Sequence, residues 1–465
     1  DPNLRLVDLT GDGLPDVLIT GDELITWHQG LGAEGFGPAR RLHQALDEEQ
    51  GPRVLFADGT ESVHIADMTG DGLGDIVRIR NGSICYWPNL GYGVFGPKVE
   101  MDNAPVFDAP EQFDPRRVRL ADIDGSGVFD IIYIGRDGIR LYFNQSGNRW
   151  SAARRLAVFP RTTGDPSTSL AAVDLLGNGT ACLVWSSRLP GDAGHVMRYV
   201  RLVQEKPYLL TSVINNLGAE TRVRYAPSTK FYLEDRARGN PWLTRLPFPV
   251  HVVEESEQID HVSGYRFVQR FAYHEGHYDG VEREFCGFAV VESWDTEAFE
   301  DYVHGVARIE GGQEVSRELY QPPVLTRTWF HTGAYFEGDE LMRRLKSRWY
   351  QGRQCLPDTS WPADATPHEL RECARALKGT SFRTEIYSED GSPQASLPYV
   401  VIENSYEVRM LQRATDRDPA IILPVLRESV SLNFERSSDP RISHTLNLEI
   451  DPYGNMVKSA AVNYG

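Results

Sequence analysis

Three aspartate-rich segments have the residue types and the spacing that could bind a metal ion. They run over Asp8–Asp16, Asp67–Asp75 and Asp122–Asp130. In each, oxygen-bearing side chains stand at positions 1, 3, 5 and 9, a glycine stands at position 6, and the peptide carbonyl of position 7 is available, which is the ligand spacing of a calcium-binding loop. The predicted ligands of Ca²⁺ or another hard cation, with Leu14, Leu73 and Val128 contributing backbone carbonyls, are Asp8, Thr10, Asp12, Leu14, Asp16, Asp67, Thr69, Asp71, Leu73, Asp75, Asp122, Asp124, Ser126, Val128 and Asp130.

The same loops also have an interpretation without a metal. Aspartate side chains accept hydrogen bonds from nearby backbone N–H groups, so a loop of this pattern can persist as an Asx turn. A fourth copy, over residues 174–182, has Leu176 and Cys182 at two of the ligand positions and is expected not to bind a cation. The sequence leaves both interpretations open for the first three loops.

Short strands are predicted around each loop. The β-branched apolar runs that follow the loops directly favour strands over the exiting helix of an EF-hand, and they are Val17–Thr20, Ile76–Ile79 and Ile131–Ile134. Asn81-Gly82 and Asp137-Gly138 then predict hairpin turns. About four strands per unit, with a loop about every 55 residues, are typical of propeller blades.

Composition and charge narrow the class of protein. A chain of 465 residues exceeds one ordinary hydrophobic core, and 42 glycines with 28 prolines favour many strands and turns, so an all-β protein of at least two units is expected. The net charge of −18 disfavours nucleic acid and anionic lipid as partners. No apolar run is long enough to insert into a membrane, and no signal peptide is visible. Because the chain begins at Asp1 within a repeat, we expect a fragment of a longer protein.

No motif in the sequence predicts catalysis. A nucleophile elbow, a zinc-protease helix, a phosphate-binding loop and a dinucleotide fingerprint are all absent from the sequence. The five cysteines are few and scattered, so they are expected to be reduced and inert. We therefore predict no catalytic residue and no enzymatic activity.

A second region follows the repeats. The loop period stops near Lys206-Pro207, so we assign the blades to residues 1–205 and a large sheet to residues 206–465. Alternation of polar and apolar residues predicts half-buried strands, for example in Thr221–Tyr225 and Tyr265–Tyr273. The segment 274–277, which carries two histidines, is expected to be a polar loop. One helix is predicted after Thr366, which forms a capping box with Glu369.

Several segments of the second region resemble a known family. Asn215–Ala219, Arg224–Tyr232, Pro241–Val253 and Gly280–Phe288 resemble the middle region of the B component of bacterial insecticidal Tc toxins, of the SpvB-like and RHS type. The repeats before them resemble the FG-GAP or VCBS propeller of that family. The turn Asp451–Asn455 resembles those of the YD repeats that build RHS shells.

The resemblance implies a fold and a function. It implies FG-GAP-type propeller blades followed by an antiparallel RHS-like sheet that forms part of a shell enclosing a toxin. The implied partners are a channel-forming A component, which the propeller docks on and gates, and a C component, which completes the shell. It also implies a non-catalytic protein that is made in the bacterial cytoplasm and acts outside the cell in a toxin complex.

Two other classes of function are open from the sequence. The repeats could form a calcium-dependent carbohydrate-binding or adhesive propeller, which a glycan array with and without chelator would reveal. The fragment could also belong to an enzyme, since similar N-terminal regions precede an ADP-ribosyltransferase in some virulence proteins. Nothing in residues 1–465 supplies that activity.

Overall fold

The computed structural model describes most of the chain. The described residues are 1–11, 14–56, 62–156, 168–307, 312, 316–318, 320–335, 340–352, 356–415 and 418–464. The predicted ligand Asp12 and the cysteine at position 355 lie outside these ranges. The chain divides into two compact units, Asp1–Leu209 and Leu210–Gly465.

The first unit is built from small antiparallel sheets. The sheets have the strand orders β1-β2-β3-β4, β5-β6-β7-β8, β14-β11-β10-β9 and β15-β16-β17, with β12 and β13 as a separate pair. The strands are β1 (Leu4–Val7), β2 (Asp16–Thr20), β3 (Leu24–His28), β4 (Arg40–His43), β5 (Val63–Ala66), β6 (Asp75–Arg80), β7 (Ser83–Trp87), β8 (Val99–Glu100), β9 (Val118–Ala121), β10 (Asp130–Gly135), β11 (Gly138–Tyr142), β12 (Asn144–Gln145), β13 (Arg149–Trp150), β14 (Arg154–Arg155), β15 (Thr168–Val173), β16 (Cys182–Ser187) and β17 (Met197–Arg201).

The core of the first unit lies between successive sheets. Leu18 and Trp27 of the first sheet pack in one buried cluster with Ile76 and Trp87 of the second. A second cluster joins the second sheet to the third, and a third joins the third sheet to the fourth. Apolar side chains buried between successive sheets are what stabilises neighbouring propeller blades. Closure of the blades into a ring stays a prediction.

The second unit is organised by one antiparallel sheet of 11 strands, which run in chain order from β18 to β28. They are β18 (Ser212–Ile214), β19 (Ala219–Pro227), β20 (His251–Asp260), β21 (Tyr265–Asp279), β22 (Glu284–Trp294), β23 (Val324–Phe330), β24 (Ser381–Ser388), β25 (Val400–Gln412), β26 (Ile421–Asn433), β27 (Arg441–Ile450) and β28 (Met456–Tyr464). The β27–β28 turn is fixed by the Asp451 carboxylate, which accepts the N–H groups of Tyr453 and Asn455. The predicted all-β class with a large antiparallel sheet is confirmed.

Short helices lie between the strands of the second unit. They are α1 (Ser228–Ala237), α2 (Phe299–Val306), α3 (Glu340–Ser347) and α4 (Pro367–Ala376). The last is the predicted helix, and the capping box of Thr366 and Glu369 is present in full. The other three correct the expectation of a single helix. Among the described residues, no helix has the length and apolar character needed to cross a membrane.

The segment with the two histidines corrects a second expectation. Residues 274–277 lie inside β21 and not in a loop. The pairing of β21 with β22 shifts between Gly276 and Tyr278, which marks a bulge at this point. Glu275 has a φ of 55° and is fully buried. Glu275 is therefore buried within the sheet, and the two histidines are half-buried in the same strand.

Candidate metal centre

The aspartate at position 9 of each loop accepts hydrogen bonds from two backbone N–H groups, one earlier and one later in the chain. The carboxylate of Asp16 accepts the backbone N–H of Leu9 at 2.9 Å and that of Gly30 at 2.7 Å. The equivalent bonds in the second loop join Asp75 to Met68 and Asn89, and those in the third join Asp130 to Ile123 and Asn144. All three aspartates are at most 1% exposed. Each one ties its own loop to the segment that follows the next hairpin.

The aspartate at position 1 organises the loop itself. Asp67 accepts the N–H of Gly70 at 2.7 Å and that of Gly72 at 2.8 Å through its two carboxylate oxygens. Asp122 accepts those of Gly125, Ser126 and Gly127 in the same manner, and Asp8 accepts that of Gly11. These bonds are the Asx turns of the metal-free interpretation. They leave lone pairs on each carboxylate, so they are compatible with a cation as well.

The third loop brings three carboxylates together. One oxygen from each of Asp122, Asp124 and Asp130 lies within 4.8 Å of the others. Asp124 and Asp130 are buried, and burial, reinforced by the charges of Asp124 and Asp122, raises the pKa of Asp130 to about 7. A hard cation prefers such oxygen ligands and offsets their mutual repulsion. These three residues therefore fit a cation.

The first two loops are less convergent. In the second loop, the carboxylate oxygens of Asp67, Asp71 and Asp75 do not all lie within 4.8 Å of one another. Asp71 instead accepts the N–H of Leu73 at 2.9 Å, and burial raises the pKa of Asp75 to about 6. In the first loop, Asp8 and Asp16 are described but Asp12 is not. Metal binding at these two loops stays a prediction.

The remaining predicted ligands have modest roles in the structure. The hydroxyl groups of Thr10 and Thr69 each lie 3.4 Å from the carboxylate at position 1 of their loop. The N–H of Ser126 donates to Asp124 at 3.0 Å. The side chain of Leu14 is exposed, whereas that of Val128 is buried. In the fourth loop, Asp174 keeps the turn bonds to Asn178 and Gly179.

A segment beyond the last sheet reaches the third loop. The ammonium group of Lys206 donates a hydrogen bond to the carbonyl oxygen of Gly125. The negative charge of Asp124, together with burial and the charge of Asp130, raises the pKa of the Tyr208 hydroxyl. The sequence analysis missed both residues, since they stand about 80 positions after the loop they contact.

Buried ion pairs in the second unit were also missed. Arg383, which is 1% exposed, donates to Glu385 at 2.6 Å and pairs with Glu403 on the neighbouring strand. Glu275 accepts the N–H of Leu243 at 2.6 Å and pairs with Arg344. The signal for the first pair was an arginine and a glutamate two apart, which places both on one face of a strand. Every charge in these networks has a partner, as a structural role requires.

Comparison with known proteins identifies three protein families whose models match parts of the chain. The family described as the insecticide toxin TcdB middle/N-terminal region matches residues 144–308, and the one described as the TcdB middle/C-terminal region matches residues 372–465. An FG-GAP-like repeat matches residues 8–78, which include the first two loops. No curated protein matches the sequence.

Solved structures of toxin complexes share the fold. A chain of the Photorhabdus luminescens Tc holotoxin pore is 29% identical, with a TM-score of 0.84, and the match covers 100% of this chain and 21% of that chain. A chain of the TcdB2-TccC3-Cdc42 crystal structure is 23% identical, with a TM-score of 0.75 over 99% of this chain and 26% of that one. For TcdB2-TccC3 the values are 24%, 0.74, 99% and 27%. The chain thus spans about a fifth to a quarter of the chains it matches.

Fold and matches together define a class of protein: FG-GAP-type four-stranded sheets followed by a large antiparallel sheet of the toxin-complex type. Within that class, the chain carries both middle regions of the TcdB insecticidal toxin family. The resemblance to the B component of Tc toxins, expected from the sequence, is confirmed.

Proposed function

We propose that the chain is a structural and docking module of a bacterial toxin complex, with the FG-GAP sheets as a propeller that docks on and gates a channel-forming A component. The observation that carries this proposal is the similarity of the whole chain, at 29% identity, to a chain of the Tc holotoxin pore. Loops of the first unit expose apolar side chains such as Leu90 and Tyr92, each 63% exposed, and exposed apolar groups of this kind suit binding to another protein.

We further propose that the second unit forms part of a toxin-enclosing shell and meets a C component. Support comes from its single sheet of 11 strands and from the similarity to chains solved as TcdB2-TccC3. In this proposal, further strands extend the sheet until it surrounds the toxin. Such a complex acts outside the cell that makes it.

We also propose that the chain acts by binding and not by catalysis. Cys85, Cys182, Cys286 and Cys373 are buried, and burial raises the pKa of each thiol, which disfavours a reactive thiolate. Two of the fully buried carboxylates, Glu385 and Glu275, are already bound to arginines. These partners suit structural roles.

The third loop is proposed to hold a calcium ion or another hard cation. Asp122, Asp124 and Asp130 would bind it through carboxylate oxygens, and Val128 would add its backbone carbonyl. The supporting observation is the approach of the three carboxylates to within 4.8 Å. A cation there would neutralise a buried cluster of negative charge beside Lys206 and Tyr208.

A pull-down tests the docking proposal. The 465-residue chain, immobilised through its C-terminus, should retain a purified A-type channel from a Tc complex and should not retain an unrelated pore-forming protein of similar size. Calcium-dependent signals on a glycan array, together with failure to retain the channel, would instead favour a carbohydrate-binding function.

A further inference from the structure

Three ionisable side chains occupy the same position in the first three sheets. Each lies in the strand before its Asp loop, two residues ahead of the one that pairs with the buried aspartate at position 9. The register pairs are Arg5 with Leu18, His64 with Val77, and Arg119 with Ile132. In the fourth sheet the equivalent residue is Ala171, which faces Val184.

The two arginines are held in the same way, although they are far apart in the sequence. The Nη1 of Arg5 donates to the carbonyl oxygens of Pro2 at 2.8 Å and Leu4 at 2.9 Å. The Nη1 of Arg119 donates to the carbonyls three residues and one residue before it, at 2.6 and 2.9 Å. Neither guanidinium forms an ion pair with a carboxylate of the described residues, and Nε and Nη2 of both have no hydrogen-bond partner there. The guanidinium of Arg5 also lies over the ring of Phe56, 4.8 Å from its centroid.

His64 stands in the sheet that packs between the sheet of Arg5 and the sheet of Arg119. Burial lowers the pKa of its imidazole, and the charges of Arg119 and Arg5 lower it further. Its Nε2 is buried and has no hydrogen-bond partner in the part of the chain that the structure describes. The lowered pKa favours the neutral ring, whose buried Nε2 is left without a hydrogen bond between the sheets that carry the two arginines.

We propose that Arg5, His64 and Arg119 bind the carboxylates of an acidic peptide. A guanidinium presents paired N–H donors that match a carboxylate, and backbone bonds to Nη1 lower the entropy lost when the rest of the group binds. The donors are spread over three successive sheets, so a chain with several carboxylates fits them better than one small anion does. The two arginines provide positive charge locally, whereas the protein as a whole has a net charge of −18.

This proposal goes beyond docking on a channel and does not depend on it. It is tested on the full chain by the fluorescence anisotropy of a labelled oligo-glutamate peptide at low ionic strength. The double variant Arg5→Gln, Arg119→Gln should bind the peptide about tenfold or more weakly, since two charge-assisted hydrogen-bond donors are lost. The variant Arg5→Lys, Arg119→Lys keeps the charge but loses the paired donors. Its affinity for the peptide should lie between that of the wild type and that of the glutamine variant.

The matched control removes the same charge elsewhere. Arg41 and Arg80 are exposed residues of the first unit, so Arg41→Gln, Arg80→Gln should weaken binding less than twofold. Melting curves establish that each variant is folded. The proposal would be overturned if Arg5→Gln, Arg119→Gln lost no more affinity than Arg41→Gln, Arg80→Gln, or lost none at all. Binding of inorganic phosphate as tightly as the peptide would also overturn it.

Discussion

The carboxylate of Asp130 accepts a hydrogen bond from the backbone N–H of Asn144 at 2.8 Å, fourteen residues further along the chain. Asp16 and Gly30, and Asp75 and Asn89, repeat this relationship in the first two sheets at the same separation. The position that the sequence marks as a metal ligand is therefore also a structural tie. The two roles are separable by experiment, because the tie needs no cation.

Replacement of Asp130 by asparagine should destabilise the first unit in metal-free buffer. The amide has one acceptor oxygen where the carboxylate has two, so one of the N–H groups of Ile123 and Asn144 loses its partner at a buried site. The expected loss in the free energy of unfolding is about 1–3 kcal/mol. Urea titration measures it. Asp102→Asn, at an exposed position, is the control, and an equal loss in both variants would contradict the structural role.

Calcium should raise the melting temperature of the chain through the third loop. At a concentration about 100 times the dissociation constant, one bound ion adds roughly 2.7 kcal/mol of stability. Asp124→Asn should remove most of this gain, whereas Asp22→Asn, in an exposed turn, should keep it. Differential scanning calorimetry with calcium and with chelator measures the shift. Identical melting curves in the two buffers would favour the Asx turn without a metal.

The stability of the second unit should fall as the pH rises from about 6.5 to about 9. Burial alone would lower the pKa of His274, but its 2.7 Å bond to Asp235 and its pairing with Glu292 raise the pKa to about 9. The folded state holds a proton that the unfolded state has lost, so the contribution is complete below pH ~6.5 and disappears above the folded pKa. Urea titrations at several pH values should show a smaller slope in His274→Gln than in the control His43→Gln. Equal slopes would contradict the assignment.

Removal of the buried arginine should be more damaging than removal of an exposed one. Arg383→Met leaves the carboxylates of Glu385 and Glu403 without their cation, at an expected cost of about 3–5 kcal/mol in the free energy of unfolding. Arg441→Met, at a side chain that is 76% exposed, should cost less than about 1 kcal/mol. Guanidinium titration compares them. Adding Glu385→Gln and Glu403→Gln to Arg383→Met should recover part of the loss, and a lack of recovery would show that lost packing dominates.

What the sequence predicted well depends on local signals. The Asp loops, the strands after them and the capping box of Thr366 and Glu369 each involve residues within one turn or loop, so their pattern is visible in a short segment. The helix α1 was missed because its Phe231 and Tyr232 favour strands and its apolar residues do not line one face. Its stability comes from packing, for example of Phe231 against Tyr273 of β21.

The rest could not be predicted because it depends on contacts between distant segments. Glu275 looks like a loop residue until the amides of Leu243 and Thr244 and the side chain of Arg344 are known to surround it. Convergence of carboxylates in the third loop, but not in the second, likewise follows from the folded backbone and not from the shared spacing.

Docking through the first unit is tested most directly by hydrogen–deuterium exchange of the full chain with and without an A-type channel. The proposed function predicts that the channel slows exchange in peptides from Asp1–Leu209 and leaves the strands of Leu210–Gly465 unchanged. Unchanged exchange throughout a folded chain at saturating channel, or slowing confined to Leu210–Gly465, would contradict it.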